Sequence, residues 1–322
     1  MRNFSTLLLL FAVLTGCSRP METSEPAILT GARTVLLASG GRFLFPKWSP
    51  DGKKILVEHF EQWEYLEIRD TSGKLLESQK LDRVAGPPQW MGTQAVNREP
   101  PQTGERKRTI FRAFGQKSAL LTFEGTAHVT WSRDGNLAAV ALSPAYTLKG
   151  QEQKPTEVYL FNSANEELRF LWTAGSTALS TYMSPSGRYV AVDYRDGESA
   201  WVVAIIEVET GRSRELWRVP WPGRAIGNLT WSPDEAFIGA RFSASQSEAG
   251  FYLLDSKGRF PPVRISTLDL VFPDWSPTGD QIVYTTVGYP GENELRMLNL
   301  PTNWREQVVK LQQEQESEQA DQ

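Results

Sequence analysis

Trp48-Ser49-Pro50-Asp51-Gly52 is followed by Lys53-Lys54-Ile55-Leu56-Val57, and this join of a tight turn to a β-rich run decides the fold. Proline fixes φ, aspartate bonds to nearby amides and glycine accepts a left-handed exit, so the first five residues favour a turn. The apolar run that follows is typical of a strand. The sequence therefore predicts a hairpin with an indole directly before its turn.

The same pattern recurs along the chain, anchored on tryptophan or, once, on methionine. The anchors are Trp48, Trp90, Trp131, Met183, Trp231 and Trp275, spaced between 41 and 52 residues apart. Periods in the forties with short strands suit a propeller blade, whereas leucine-rich and helical-pair repeats have other periods or a helical spacing. We therefore predict an all-β fold, a six-bladed β-propeller of four-stranded antiparallel blades over residues 30–311.

The anchor residues are interpreted as structural, because an indole before each turn can pack between adjacent sheets. The ring also needs a closing strand. Residues 34–38 resemble an outer strand without a blade of its own, so we predict that they complete the last blade beside 294–300, with 307–311 competing for that place. Residues 312–322 are rich in Gln and Glu without an apolar period and are predicted to form a disordered tail.

The N-terminus has the pattern of a targeting segment. Met1-Arg2 precedes an apolar run of about eight residues ending at Leu14, which suits a signal peptide because a membrane-spanning helix needs about 20. Leu14-Thr15-Gly16-Cys17 resembles the bacterial lipoprotein box, and Cys17 is the only cysteine in the chain. An ordinary secretory signal with an incidental cysteine is the alternative.

The lipoprotein resemblance implies cleavage after residue 16 and acylation at Cys17, which would anchor the protein through several acyl chains. Residues 1–16 are then the signal peptide and residues 17–29 a lipidated tether. Ser18 stands where many inner-membrane lipoproteins carry aspartate. The expected location is the cell envelope, on the periplasmic side of the outer membrane rather than at the inner membrane.

The repeated Trp-Ser-Pro-Asp-Gly motif with its following apolar run resembles the WD-like repeat of TolB-type propellers. It is also similar to repeats in the propeller domains of dipeptidyl peptidases and acyl-aminoacyl peptidases. The resemblance covers about residues 30–311 and implies the propeller fold. It implies little about function, because propellers are scaffolds whose activities lie in grafted sites.

Composition and motifs argue against several classes of function. The 34 Lys and Arg residues against 38 Asp and Glu leave no basic excess for nucleic acid, and one cysteine with two histidines supplies neither an internal disulfide nor most zinc sites. No Gly-x-Ser-x-Gly elbow or phosphate loop occurs. His59 and His128 are interpreted as rim or wall residues rather than general bases, and Asp193, Asp196 and Glu198 as solvated loop carboxylates. We therefore predict no cofactor, no metal site and no catalytic residues.

One face of the ring is the predicted binding surface, because its loops carry aromatic residues and arginine, which are enriched at interface hot spots. The residues assigned to it are Phe60, Trp63, Tyr146, Tyr194, Trp221, Arg224 and Tyr289. The leading hypothesis is a monomeric, lipid-anchored scaffold that binds an envelope protein or peptide. The alternative is a glycan-binding or hydrolase/lyase-type propeller that uses channel-lining carboxylates and tyrosines.

Overall fold

Strands dominate the computed structural model of the chain. It describes residues 22–23, 28–81, 86–99, 108–116, 118–124, 126–143, 155–176, 179–244, 248–286 and 292–320. The signal peptide, Cys17, Tyr146 and Tyr289 lie outside these ranges. No helix in the described part is long and apolar enough to cross a membrane.

The strands form six antiparallel sheets, which are the blades of a propeller. The chain starts with β1 (Glu22–Thr23) and β2 (Arg33–Ala38), and then runs through blade 1 with β3 (Arg42–Trp48), β4 (Lys54–Phe60), β5 (Glu64–Asp70) and β6 (Leu75–Lys80). Blade 2 has β7 (Gly86–Met91), β8 (Gln94–Glu99), β9 (Arg108–Ala113) and β10 (Leu121–Glu124), and blade 3 has β11 (Thr126–Trp131), β12 (Leu137–Ser143), β13 (Glu157–Asn162) and β14 (Glu167–Thr173).

Blade 4 has β15 (Leu179–Met183), β16 (Tyr189–Asp196), β17 (Ala200–Glu207) and β18 (Ser213–Pro220), and blade 5 has β19 (Ala225–Trp231), β20 (Phe237–Ser243), β21 (Gly250–Asp255) and β22 (Val263–Ser266). Blade 6 has β23 (Val271–Trp275), β24 (Gln281–Thr285) and β25 (Leu295–Asn299), followed by α1 (Trp304–Ala320). The first strand of each blade lies next to the axis, and β23 lies beside β3, so the ring is closed. The predicted six-bladed fold is confirmed.

The turn after each anchor is stabilised by its own side chains. The Ser49 hydroxyl donates to Asp51 Oδ1 at 2.6 Å and accepts from the Lys54 amide at 2.9 Å. The same serine–aspartate bond recurs in blades 3 and 5. Glu235 replaces the turn glycine at φ 59°, and its carboxylate accepts from the Ser186 amide of blade 4 at 2.6 Å. This interblade bond offsets part of the strain of that backbone conformation.

The anchor residues lie in apolar clusters between their own blade and the preceding one. Trp48 packs between blades 6 and 1, Trp131 between blades 2 and 3, and Trp275 between blades 5 and 6. Met183 and Trp231 occupy the corresponding places at the next two interfaces, and half-buried Trp90 packs against the smaller cluster between blades 1 and 2. The repeat therefore spaces the blades as well as turning the chain.

Blade 6 is built from both ends of the chain. β2 pairs with β25, for example Val35 with Met297, so the prediction that residues 34–38 complete the last blade is confirmed. β1 pairs with β2 on its outer side, the Ile28 amide donates to Ile265 O at 3.2 Å, and Leu29 is buried. The predicted tether over 17–29 is therefore too long, because its last part already packs on the propeller.

The predicted disordered tail is wrong for most of its length, because residues 304–320 form α1. Trp304 is 2% exposed, packs at a tilt against Trp275 and Phe237, and donates its indole N–H to Gly279 O at 3.1 Å. Gln, Glu and Leu are good helix formers, and the buried indole fixes the first turn. The competing strand over 307–311 is part of this helix.

Candidate partner-binding face and central channel

The two faces of the ring carry different connections, because strands alternate in direction. The loop face consists of the links from second to third strands and from each blade to the next, and it includes residues 61–63, 197–199 and 221–224. The turn face carries the anchor turns, such as residues 49–53 and 132–136. The described residues of the predicted binding surface, Phe60, Trp63, Tyr194, Trp221 and Arg224, belong to loop-face links or to the strand ends beside them.

Trp63 is the most prominent aromatic side chain on the loop face. It is 56% exposed in the short link between β4 and β5. The Lys80 ammonium lies 3.4 Å from its ring centroid, a cation–π contact that leaves the rest of the indole open to a partner. Phe60, at the end of β4, is half-buried next to this link. We call this end of β4 and the link after it, which carry Phe60 and Trp63, the Trp63 corner.

The other described members of the predicted surface make closer contacts with blade edges. Tyr194 packs edge-on against Trp172 of blade 3, with ring centroids 5.6 Å apart. Trp221 packs against Trp201 and lies under the Arg195 guanidinium, which is 4.9 Å from its centroid. The structure thus places Trp221 over blade 4 and Tyr194 towards blade 3, away from the Trp63 corner.

Arg224 and the nearby loop carboxylates are largely committed to ion pairs. Arg224 pairs with Glu248 at 2.7 Å, and Asp196 pairs with Arg218 at 2.7 Å. Asp193 does not join them, because it lies inside β16 and is 5% exposed. Within the described ranges, no group of three or more His, Cys, Asp or Glu side chains is arranged to hold a metal ion. Tyr146 and Tyr289 lie outside the described residues.

A belt of buried polar side chains crosses blades 1 to 4 near the channel, and the sequence reading missed it. Glu58 of β4 interacts electrostatically with Arg98 of β8, and Arg98 in turn with His128 of β11. The His128 ring lies 6.2 Å from the ring of Tyr182, whose hydroxyl bonds to the Asp193 carboxylate. The signal was available in the repeats, since Glu58, Arg98 and Asp193 each occupy the fifth position of their blade's second strand.

Burial controls the protonation of this belt. It raises the pKa of Glu58 to about 9, with Glu64 adding to the effect and Arg98 opposing it. It also raises the pKa of Asp193 to about 7, although the Tyr182 hydroxyl donates to that carboxylate. His128 changes in the other direction, because burial and then the charges of Arg98 and Lys47 lower its pKa to about 4. At neutral pH, Glu58 and His128 are therefore both uncharged.

The other histidine is a wall residue held by an ion pair. His59 is 6% exposed, and its Nδ1 lies 2.9 Å from Glu67 Oε1. Glu67 also binds Arg69 at 2.7 Å, and the His59 ring stacks on Phe43. Burial opposes the charged form, but the bond to Glu67 prevails and raises the pKa of His59. The group ties strands β4 and β5 of blade 1 together.

The fold defines the class of protein, a TolB-like six-bladed β-propeller. Neither a protein-family model nor a curated protein sequence matches the chain. Among solved structures it resembles TolB from Acinetobacter baumannii, with 17% identity, a TM-score of 0.56, and 81% of this chain matched to 64% of that one. An oligogalacturonate lyase in complex with manganese gives 13% identity and a TM-score of 0.57, with 88% and 97% covered.

The oligogalacturonate lyase from Vibrio parahaemolyticus is a further neighbour, with 9% identity and a TM-score of 0.52 over 87% of this chain and 97% of that one. At these identities the likeness is one of fold. The neighbours include both TolB and lyases, so the shared ring accommodates different functions.

Proposed function

We propose that this protein is a lipid-anchored scaffold of the cell envelope, whose TolB-like propeller binds a protein or peptide partner on its loop face. The exposed indole of Trp63 carries the proposal. Large aromatic side chains are typical anchors of interfaces, because they bury much area and lose little conformational entropy. The sequence of residues 1–17 supports the lipid anchor, and Ser18 favours the outer membrane.

Site-specific photo-crosslinking in cells tests the binding face. A photoreactive phenylalanine analogue at position 63 should give a discrete crosslinked product with an envelope protein. The matched control places the same analogue at position 170, because Phe170 is 51% exposed but lies on β14, the outer strand of blade 3. Equal products from both positions, or none from position 63, would contradict the loop-face proposal.

A separate experiment tests the lipid anchor. Cys17→Ala should abolish incorporation of labelled palmitate and move the protein from the membrane pellet to the soluble fraction. Cys17→Ser is a second variant with the same expected result, since neither side chain carries the thiol that accepts the lipid. Unchanged labelling and pelleting would show that no lipid is attached at Cys17.

A glycan-binding or lyase-type propeller remains the second candidate, favoured by the Tyr182–Asp193 pair in the channel. Asp193 Oδ2 is buried and makes no hydrogen bond within the described residues. Tyr182 lines the cavity on the ring axis, so a sugar bound there would lie next to this pair. A glycan array probed with the wild type and with Asp193→Asn tests this function. The wild type should bind a glycan saturably, and the substitution should weaken that binding.

A further inference from the structure

Two anchor turns lack proline as their third residue, and the turn of blade 3 is the one that carries a charged side chain there; blade 2 has Gly92. Prolines occupy that place at positions 50, 185, 233 and 277, but blade 3 has Arg133. The Arg133 amide donates to Pro185 O of blade 4 at 3.0 Å, a bond that proline cannot make. This bond accounts for the absence of proline, but it does not account for a guanidinium.

The Arg133 side chain lies at a cavity on the axis of the turn face. The cavity has a volume of about 140 Å³ and is lined by residues from all six blades. A cavity of about 150 Å³ is known to hold one benzene molecule, so this one admits a single small group. Its apolar walls are mainly the anchor indoles Trp48, Trp90, Trp131, Trp231 and Trp275.

The carboxylates near this cavity already have partners. Asp274 pairs with Lys47 Nζ at 3.0 Å and accepts from the Trp48 amide at 2.7 Å. Glu235 accepts from the Ser186 amide and pairs with Arg188 at 3.1 Å. Both lie close enough to Arg133 to favour its charged form, although burial lowers its pKa. Arginine nonetheless stays protonated in proteins.

Arg133 itself is half-buried and its guanidinium forms no hydrogen bond or ion pair within the part of the chain that the structure describes. None of the five wall indoles presents a free and accessible N–H group to the cavity. The Trp90 and Trp231 N–H groups donate to Lys47 O and Tyr182 O, whereas those of Trp48, Trp131 and Trp275 are buried without a partner among the described residues. The cavity therefore combines the positive charge of Arg133 with aromatic walls.

We propose that this turn-face cavity binds a carboxylate group, held by the Arg133 guanidinium, with the apolar part of the ligand against the indoles. A carboxylate has only acceptors when ionised and can take both arms of a guanidinium. The group comes either from a free small organic acid or from an acidic side chain of a peptide. This site lies on the opposite face from Trp63 and does not depend on the proposed partner.

Calorimetric titration of the full-length protein in detergent tests the site with benzoate as the probe. Benzoate should bind saturably. Benzamide has a similar shape without the charge, and its affinity should be lower than that of benzoate by about tenfold or more. Arg133→Met should weaken benzoate binding by about tenfold or more, whereas Arg133→Lys, which keeps the charge, should lose less. Arg212→Met, at an exposed arginine elsewhere on the turn face, should change nothing.

A capped peptide with one internal glutamate, compared with its glutamine counterpart, distinguishes the two sources. If benzoate binds through Arg133 and the glutamate peptide does not, the ligand is a free small acid. If the glutamate peptide binds through Arg133, the ligand is an acidic side chain of a peptide. Thermal unfolding of each variant shows whether it is folded. The proposal is overturned if benzoate and benzamide bind equally, if Arg133→Met binds like the wild type, or if no carboxylate probe saturates at millimolar concentration.

Discussion

A single indole in most repeats sets the distance between neighbouring blades. Trp131 is 8% exposed and packs edge-on against Phe161, with ring centroids 5.9 Å apart. These indoles stand directly before turn residues in the sequence, which is why their positions could be predicted without a structure. Their burial between sheets follows from the ring closing on itself.

Trp131→Ala should therefore lower the free energy of unfolding by about 3–5 kcal/mol, because it leaves a cavity between blades 2 and 3. Trp63→Ala is the matched control, and at a half-exposed site it should change stability by no more than about 0.5 kcal/mol. Urea unfolding of both variants measures the difference. A loss below about 1 kcal/mol for Trp131→Ala would show that the indole is not a spacer.

The burial of Asp193 could not be predicted from the sequence pattern. In the sequence it precedes Asp196 and Glu198 and resembles part of a solvated acidic loop. The structure continues β16 through Asp196, and the alternation of the strand turns Asp193 inward and Asp196 outward. The predicted loop begins at Asp193, whereas β16 ends four residues later than that prediction requires, at Asp196, and this difference decides whether the carboxylate is solvated or buried. Strand ends are the least certain part of a sequence prediction.

Glu58 gives a pH-dependent stability with a definite sign. Its pKa is about 9 in the folded protein, against an ordinary value of 4.5, so the folded state holds an extra proton between these values. Stability should fall as pH rises across that window, by at most about 1.4 kcal/mol per pH unit for one proton. Glu58→Gln should flatten this slope, so its stability relative to the wild type should rise between about pH 6 and about pH 9.

Urea unfolding at several pH values measures this slope. Glu77→Gln is a suitable control because Glu77 lies on the outer strand β6 with its side chain 52% exposed, and it should leave the slope unchanged. Asp193 also titrates near neutral pH, so a residual slope is expected in the Glu58 variant. A Glu58→Gln slope identical to that of the wild type would contradict the raised pKa.

The C-terminal helix is the element for which sequence patterning failed. Its buried positions are Trp304, Val308 and Gln312, spaced by one helical turn each. The third of these is a glutamine, so a search for apolar periodicity stops after two turns and the remainder resembles a polar tail. The strands are easier to predict from the sequence, because a tight turn marks where the second strand of each blade begins. The repeated motif could therefore predict the blades, but it could not predict a helix that occurs once and is docked through one indole.

Trp304→Ala should cost about 3–5 kcal/mol of unfolding free energy, because it removes the indole packed between Phe237 and Trp275. Val309→Ala tests the same helix on its outer face, where Val309 is 38% exposed, and should cost much less. Circular dichroism during urea unfolding follows both variants. Similar losses for the two substitutions would mean that α1 is not docked through Trp304.

At the scale of the whole molecule, the N-terminal segment completes blade 6 and also limits the distance between the propeller and Cys17. Only residues 18–21 separate Cys17 from β1, so the outer edge of blade 6 lies at most about 18 Å of extended chain from Cys17. Blade 3 lies across the ring from blade 6. If Cys17 is acylated, the propeller is held with blade 6 near the bilayer and blade 3 farther away.

Single-cysteine labelling can measure this orientation, since Cys17 is the only native cysteine and acylation removes its thiol. Ser39→Cys, exposed directly after β2, and Ala164→Cys, exposed in the turn between β13 and β14 of blade 3, form a matched pair. A fluorophore at position 39 should be quenched more strongly by headgroup-labelled lipids than one at position 164. Equal quenching would show that the short link does not orient the ring, and stronger quenching at position 164 would place the anchor elsewhere.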